Sequence, residues 1–172
     1  MKSRPKYLVI ALAAFSLFFP FSSCSKKTEE QVILELVKEL ARHAEKKNTE
    51  RIMPHLSEDY SDFEGRGREE TRDMLDGYFL RYRGIVINVL GIRLKGISPR
   101  NASLCMDVAF SSGAAQVFRK FVKVSTQNYR LNVRLVRGED QWLVQYAEWE
   151  YVPLQELLPE SLLQLKKIFP EL

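Results

Sequence analysis

Cysteine and histidine are scarce in this chain, with two of each in 172 residues. No Cys/His cluster has metal-ligand spacing. His43 falls on an expected helix and His55 follows Pro54, so each reads as an ordinary surface or half-buried histidine rather than a ligand. No apolar run reaches the roughly 20 residues that a membrane-crossing helix requires. Tyr7–Phe19 contains Ser16 and is broken off by Pro20. Internal repeats and low-complexity stretches are missing too. The chain also lacks a strong excess of charge. Its formal net charge is +4, and Lys2, Arg4 and Lys6 carry three of those charges, so without residues 1–23 the balance is +1. A near-neutral surface gives no electrostatic footing for nucleic acid.

What is present begins at the N-terminus. A basic start, the apolar run, Ser22-Ser23-Cys24 and the polar stretch Ser25–Glu30 follow in the order of a secretory signal. This order resembles a bacterial lipoprotein signal, whose lipobox ends in the cysteine that is acylated after cleavage. Phe21 stands where that family usually has Leu or another aliphatic. The resemblance implies a signal peptide over 1–23, lipid attachment at Cys24, and a tether over 24–27. An ordinary cleaved signal with Cys24 incidental is the alternative. Multiple acyl chains at about 0.8 kcal/mol per buried CH₂ give lasting attachment, so the membrane is a partner through those chains. Ser25 rather than Asp after the cysteine implies sorting to the outer membrane, facing the periplasm. With Cys24 lipidated, Cys105 has no intramolecular partner and reads as a small core residue in a strand.

The remaining 149 residues suffice for one domain, 28–172, with a substantial core. Thr28-x-x-Gln31 forms a capping box. Val32, Ile33, Leu36, Val37, Leu40, Ala41 and Ala44 recur at helical spacing and predict an amphipathic helix of about five turns. A short helix from Asn48 or Thr49 is limited by Pro54. Leu56–Phe63 reads as a connector, Gly65 and Gly67 as a turn, and Arg68–Tyr82 as a third helix with Met74, Leu75, Tyr78, Phe79 and Tyr82 on its apolar side. Strands follow at Ile85–Leu94 and Ala102–Phe110, with a turn at Ser111–Gly113. Val117–Arg137 is too long for one regular strand, so a bulge or corner is expected near Ser125–Asn128. In Trp142–Trp149, alternation places Trp142, Val144, Tyr146 and Glu148 on one face. Short loops between these strands predict an antiparallel meander. Pro153–Leu172 is a leucine-rich tail whose Ser161-x-x-Gln164 caps a final helix, read as closing the core rather than exposing an apolar strip.

Helix, short helix, Asp/Tyr-bearing connector, third helix, then curved antiparallel sheet resembles the nuclear transport factor 2-like, or SnoaL-like, superfamily. The resemblance runs from about Thr28 to Tyr151. It rests on Leu56–Asp62, on Leu75–Leu80, on Leu131–Arg137 and above all on Gln141–Trp149, a strand opened by one tryptophan after a charged turn and closed by another. It implies an α+β cone, with N-terminal helices packed on a bent antiparallel sheet, a short C-terminal helix and a pocket at the wide end. It also implies a homodimer formed through the sheet. That scaffold hosts isomerases, cyclases, dehydratases and noncatalytic binding domains, so fold alone does not assign function.

An enzyme of this kind needs a general acid or base in a partly apolar pocket. Tyr60, Asp62 and Asp107 are the catalytic candidates, and Tyr60, Asp62, Tyr78, Arg134 and Glu148 the ligand-pocket candidates. Each also has a plain structural reading. Asp62 can cap the turn before the third helix, and Tyr60 can pack its ring in the core. Asp107 and Arg134 can form a cross-strand ion pair on the solvent face. Gly65-Arg66-Gly67 is too short a match for a phosphate loop, and Glu69 and Glu70 would repel an anion there. No metal or cofactor is implied. The reading favours a noncatalytic envelope module that binds an apolar small ligand or an envelope protein. Acid–base enzymology of the isomerase or dehydratase kind and a structural envelope role are the alternatives.

Overall fold

The structure, a computed structural model, describes residues 27–112 and 127–168. The leader, Cys24 and the first part of the corner expected near Ser125–Asn128 lie outside the described residues. Helix α1 spans Glu29–Glu45 and opens on the expected capping box. Thr28 Oγ1 accepts from the Gln31 amide, and the Gln31 side chain accepts from the Thr28 amide. Glu29 in its first turn favours the helix dipole and does more. Its Oε2 accepts from the Trp142 indole at 2.7 Å and from Arg137 Nη1 at 2.7 Å, tying the start of α1 to the last hairpin. Helix α2 (Thr49–Ile52) is capped by Asn48 and gives way to a 3₁₀ turn at Met53–His55.

Strand β1 covers Leu56–Asp62, the segment expected as a connector. Its acids and serines carry little strand propensity. It is a strand because β5 offers it a free edge, with which it pairs in parallel. Helix α3 (Arg68–Arg81) follows at the expected place. Strands β2 (Ile85–Ile97), β3 (Asn101–Ser112), β4 (Gln127–Arg137) and β5 (Trp142–Tyr151) then form the antiparallel meander. Of the turn expected at Ser111–Gly113, Ser111 and Ser112 are strand, paired with Val86 and Ile85, and Gly113 lies outside the described residues. The sheet order is β1-β5-β4-β3-β2, mixed because of its β1 edge. Helix α4 spans Pro159–Ile168.

Two cores result, one on each side of the sheet. On the inner face, Ile33, Leu36 and Val37 of α1 pack on Leu104, Val133, Leu135 and Trp142. On the outer face, α4 and the segment before it bring Leu157 and Leu165 onto Leu90, Ala109 and Val152. The tail therefore closes a core, but a second one behind the sheet. Gly91 permits this. A Cβ there would lie 2.5 Å from Ser161 Oγ, 2.9 Å from Glu160 Cγ and 3.1 Å from the Ser161 amide nitrogen, so helix and strand touch where a side chain is missing. Arg93 and Glu160, 3.0 Å apart, bridge the same contact from its rim.

The inner face of β5 differs from strict alternation. The β4–β5 register shifts between Arg134 and Leu135, whose partners are Tyr146 and Val144, leaving Gln145 as a bulge. Trp142, Val144 and then Ala147 face α1, while Tyr146 and Glu148 turn outward. The expected common face for Trp142, Val144, Tyr146 and Glu148 is thus divided by one extra residue.

Two outcomes follow from this packing. Gly91→Ala should cost about 1–3 kcal/mol, the usual penalty of overpacking, and loosen α4. Chemical denaturation, with limited proteolysis of the C-terminal helix, measures both. His55 has its imidazole pKa lowered by burial, opposed by Glu39 and assisted by His43. The unfolded chain then holds the proton more readily than the fold does. Stability should fall as pH drops through about 6.5, the ordinary imidazole value, toward the lower folded value. His55→Gln should flatten that limb in a pH series of denaturation midpoints.

Candidate functional site

Asp62 is 3% exposed and closes the turn leading to α3. Its Oδ1 accepts from the amides of Glu64 and Arg66, each at 2.9 Å, and its Oδ2 accepts from Arg66 Nε at 2.6 Å. The Asp62 amide donates to the Arg66 carbonyl and the Gly65 amide to the Asp62 carbonyl, so Gly65-Arg66-Gly67 is a turn built around this carboxylate. Gly65 takes φ +80°, a conformation that favours glycine. Arg66 also lies over the Trp149 ring at 5.5 Å, and Phe63 meets Trp149 edge-on. Both oxygens of Asp62 serve the backbone and the guanidinium beside it.

Tyr60 is buried in the inner core. Burial raises its hydroxyl pKa, partly offset by Thr71 beside it. It stays protonated at neutral pH.

Asp107 is fully buried, and its partner differs from the one expected. Strand pairing sets Asp107 opposite Arg130 and Ser103 opposite Arg134. Arg130 Nε donates to Asp107 Oδ1 at 2.9 Å, and the Leu158 amide donates to Oδ2 at 2.6 Å. Arg130 Nη2 also donates to the Glu156 carbonyl at 2.6 Å. The pair faces the side of the sheet that alternation assigned to solvent, where the tail covers it. It fixes the chain just before α4, a tertiary contact between residues far apart in sequence.

Arg134 and Glu148 come together instead on a part of the outer face that no described helix covers. They line a groove of about 410 Å³ with Lys95, Ser103, Asn132 and Tyr146. The Arg134 guanidinium lies over the Tyr146 ring at 4.2 Å. Tyr146 Oη donates to Glu148 Oε2 at 3.2 Å, and Lys95 Nζ donates to Asn132 Oδ1 at 2.7 Å. Loss of solvent and the Glu148 carboxylate raise the Tyr146 pKa, which keeps its hydroxyl a donor. The groove thus offers two cations, one carboxylate and an aromatic plane on a rigid sheet, an arrangement suited to polar recognition. The cross-strand row Ser103–Arg134–Tyr146 assembles it. Period-two alternation could have found Ser103 and Asn132; Lys95, at a bulge of β2, and Tyr146, beyond the bulge of β5, carry no such signal.

Tyr78 belongs to neither place. It sits on α3, 46% exposed, and stacks on Tyr82 with centroids 6.1 Å apart. Tyr82 meets Phe110 edge-on, and Tyr129 meets Tyr151 likewise. Burial raises the Tyr129 hydroxyl pKa, and Tyr78, Tyr82 and Tyr151 add to that shift. They form an aromatic rim at the end of the sheet where β2 starts and β5 ends. The five candidate pocket residues therefore divide three ways, with Tyr60 and Asp62 in the interior and its turn, Arg134 and Glu148 in the outer groove, and Tyr78 at the rim.

No family model matches this chain, and no curated protein matches it. Solved structures do. A putative scytalone dehydratase from Novosphingobium aromaticivorans superposes with a TM-score of 0.63 at 17% identity, covering 73% of this chain and 85% of that one. A putative dehydratase from the NTF2-like family from Streptomyces avermitilis gives 0.61 at 10% identity over 73% and 97%. The hexachlorocyclohexane dehydrochlorinase LinA-type3 from Novosphingobium barchaimii gives 0.57 at 12% identity over 72% and 86%. At such identities the likeness concerns the fold alone. The described part of the chain has the α+β fold of nuclear transport factor 2-like, SnoaL-like proteins.

Proposed function

We propose that this chain is a noncatalytic binding module of the bacterial envelope, held by acyl chains on Cys24 at the outer membrane and facing the periplasm. Its binding site is the outer groove around Arg134, Tyr146 and Glu148. One observation carries the noncatalytic reading. The two buried acids that acid–base chemistry would use, Asp62 and Asp107, have both oxygens engaged by donors of the chain itself. Neither lines the groove. An acid so engaged serves the fold, whereas Arg134 and Glu148 line the groove.

A second binding mode is favoured by the aromatic rim. Tyr78 and Tyr151, 46% and 64% exposed, offer ring faces to an apolar ligand at that end of the sheet. A polar partner belongs to the groove and an apolar one to the rim, so the identity of what is bound separates the two.

Native mass spectrometry of protein purified from its own membrane tests the reading. The mature chain should begin at Cys24 and carry acyl mass, and Cys24→Ala should lose that mass and leave the membrane fraction. An intact Met1 terminus in membrane-bound protein overturns the anchor. A polar partner in the groove should bind about tenfold more weakly to Arg134→Ala, the loss expected for one hydrogen bond to a charged group. Unchanged binding removes the groove from the reading.

Asp107→Asn tests the structural role of the buried acid. Breaking a buried ion pair costs about 3–5 kcal/mol. Denaturation should register that loss and proteolysis should release the tail, while whatever binds the groove of the remaining folded protein binds as before. Turnover of a small molecule by the parent chain that Asp107→Asn abolishes without unfolding it would establish the enzyme instead.

A further inference from the structure

We infer that the domain stands upright on the bilayer, with the turns Ser98–Arg100 and Gly138–Gln141 beside the lipid headgroups and the tyrosine rim pointing away. This rests on lipid attachment at Cys24. Four residue steps separate Cys24 from Thr28, and an extended chain covers at most ~3.6 Å per step, so roughly 14 Å in all. The membrane surface must therefore lie close to where α1 begins.

That place is held firmly within the fold. Lys27 is bridged to Glu35 at 2.6 Å, and Thr28 is locked in the capping box. Glu29 is fastened to Arg137 and Trp142 at the two strand ends of the last hairpin. The Arg137 amide donates to the Arg100 carbonyl at 2.9 Å, which brings the β2–β3 turn to the same end. Gln141 reaches the Pro54 carbonyl at 3.2 Å and adds the 3₁₀ turn. The opposite end is equally well defined. Glu45, the last residue of α1, accepts from the Ile87 amide at 2.8 Å, and Lys47 donates to the Tyr82 carbonyl.

The distance between the ends is what makes the orientation matter. Strand β2, 13 residues long, joins them, and at ~3.3 Å per residue it spans about 40 Å, nearly three times the reach of the tether. Ile97, 42% exposed, and Arg100 give the first turn an apolar and a cationic contact for headgroups, while the second turn carries the exposed acids Glu139 and Asp140, so it is the short tether and not surface charge that sets the orientation. For Tyr78 or Tyr151 to reach lipid, the domain would have to lie on its side.

The experiment uses the full lipidated chain in phosphatidylethanolamine–phosphatidylglycerol vesicles that carry a headgroup-nitroxide lipid. Cys105, buried in β3, is replaced by Ala, and a fluorophore is placed at Arg100→Cys or at Arg83→Cys. Quenching should be several-fold stronger at position 100 than at position 83. Equal quenching, or stronger quenching at 83, in protein that floats with the vesicles overturns the orientation and leaves the anchor standing. Protein of the full mature chain that fails to float removes the anchor, and the orientation with it.

Discussion

Burying an unpaired carboxylate beneath α1 would cost several kcal/mol, and Glu148 escapes that cost through one extra residue in β5. Strict alternation from Trp142 would carry Tyr146 and Glu148 into the inner core. The bulge at Gln145 reverses the parity after Val144, so that Ala147 continues the apolar face and the two polar residues emerge behind the sheet. The outer groove depends on this reversal, because Arg134 finds a ring to lie on only when Tyr146 points outward. Gln145 itself bonds Asp59 of β1 at 2.6 Å, so the irregular residue is held by the edge strand.

The second organising contact is the ion pair between the fully buried Asp107 and the half-buried Arg130. Two charges inside a protein are tolerated when their remaining hydrogen-bonding capacity is met. Here the Leu158 amide and the Glu156 carbonyl meet it. The pair gives the tail a fixed point of attachment, and Leu157 and Leu165 supply apolar burial on either side of it. Gly91 then lets the helix approach the strand.

Much of this was legible from residue order. The period of α1, its capping box and the bounds of α3 need only local information, since helical contacts lie three and four residues apart. The alternation of β3 and β4 was legible as well, but its meaning was not. Asp107 and Ala109 occupy the face that alternation gives to water, and both are buried by elements that arrive some fifty residues later. The partner of Asp107 was hidden for the same reason. Choosing Arg130 over Arg134 requires the register of β3 on β4. Strand β1 was hidden because seven residues, five of them acids or serines, become a strand only against a neighbour's edge. For the groove, Arg134 and Glu148 were accessible as charges on strands, whereas Lys95 and Tyr146 depend on bulges, the first with Gly96 beside it and the second with no glycine or proline to mark it.

Helix α4 also reshapes the sheet as a landing ground. It lies against β2 on the outer face, and a helix with its side chains is about 10 Å thick. A flat visitor, such as the matching sheet of a second copy, would meet this ridge before settling on β4 and β5. The strip left over is a terrace a few strands wide with the groove in its floor. Among the described residues, α4 is thus what limits how broad a body could rest on the outer face of the sheet.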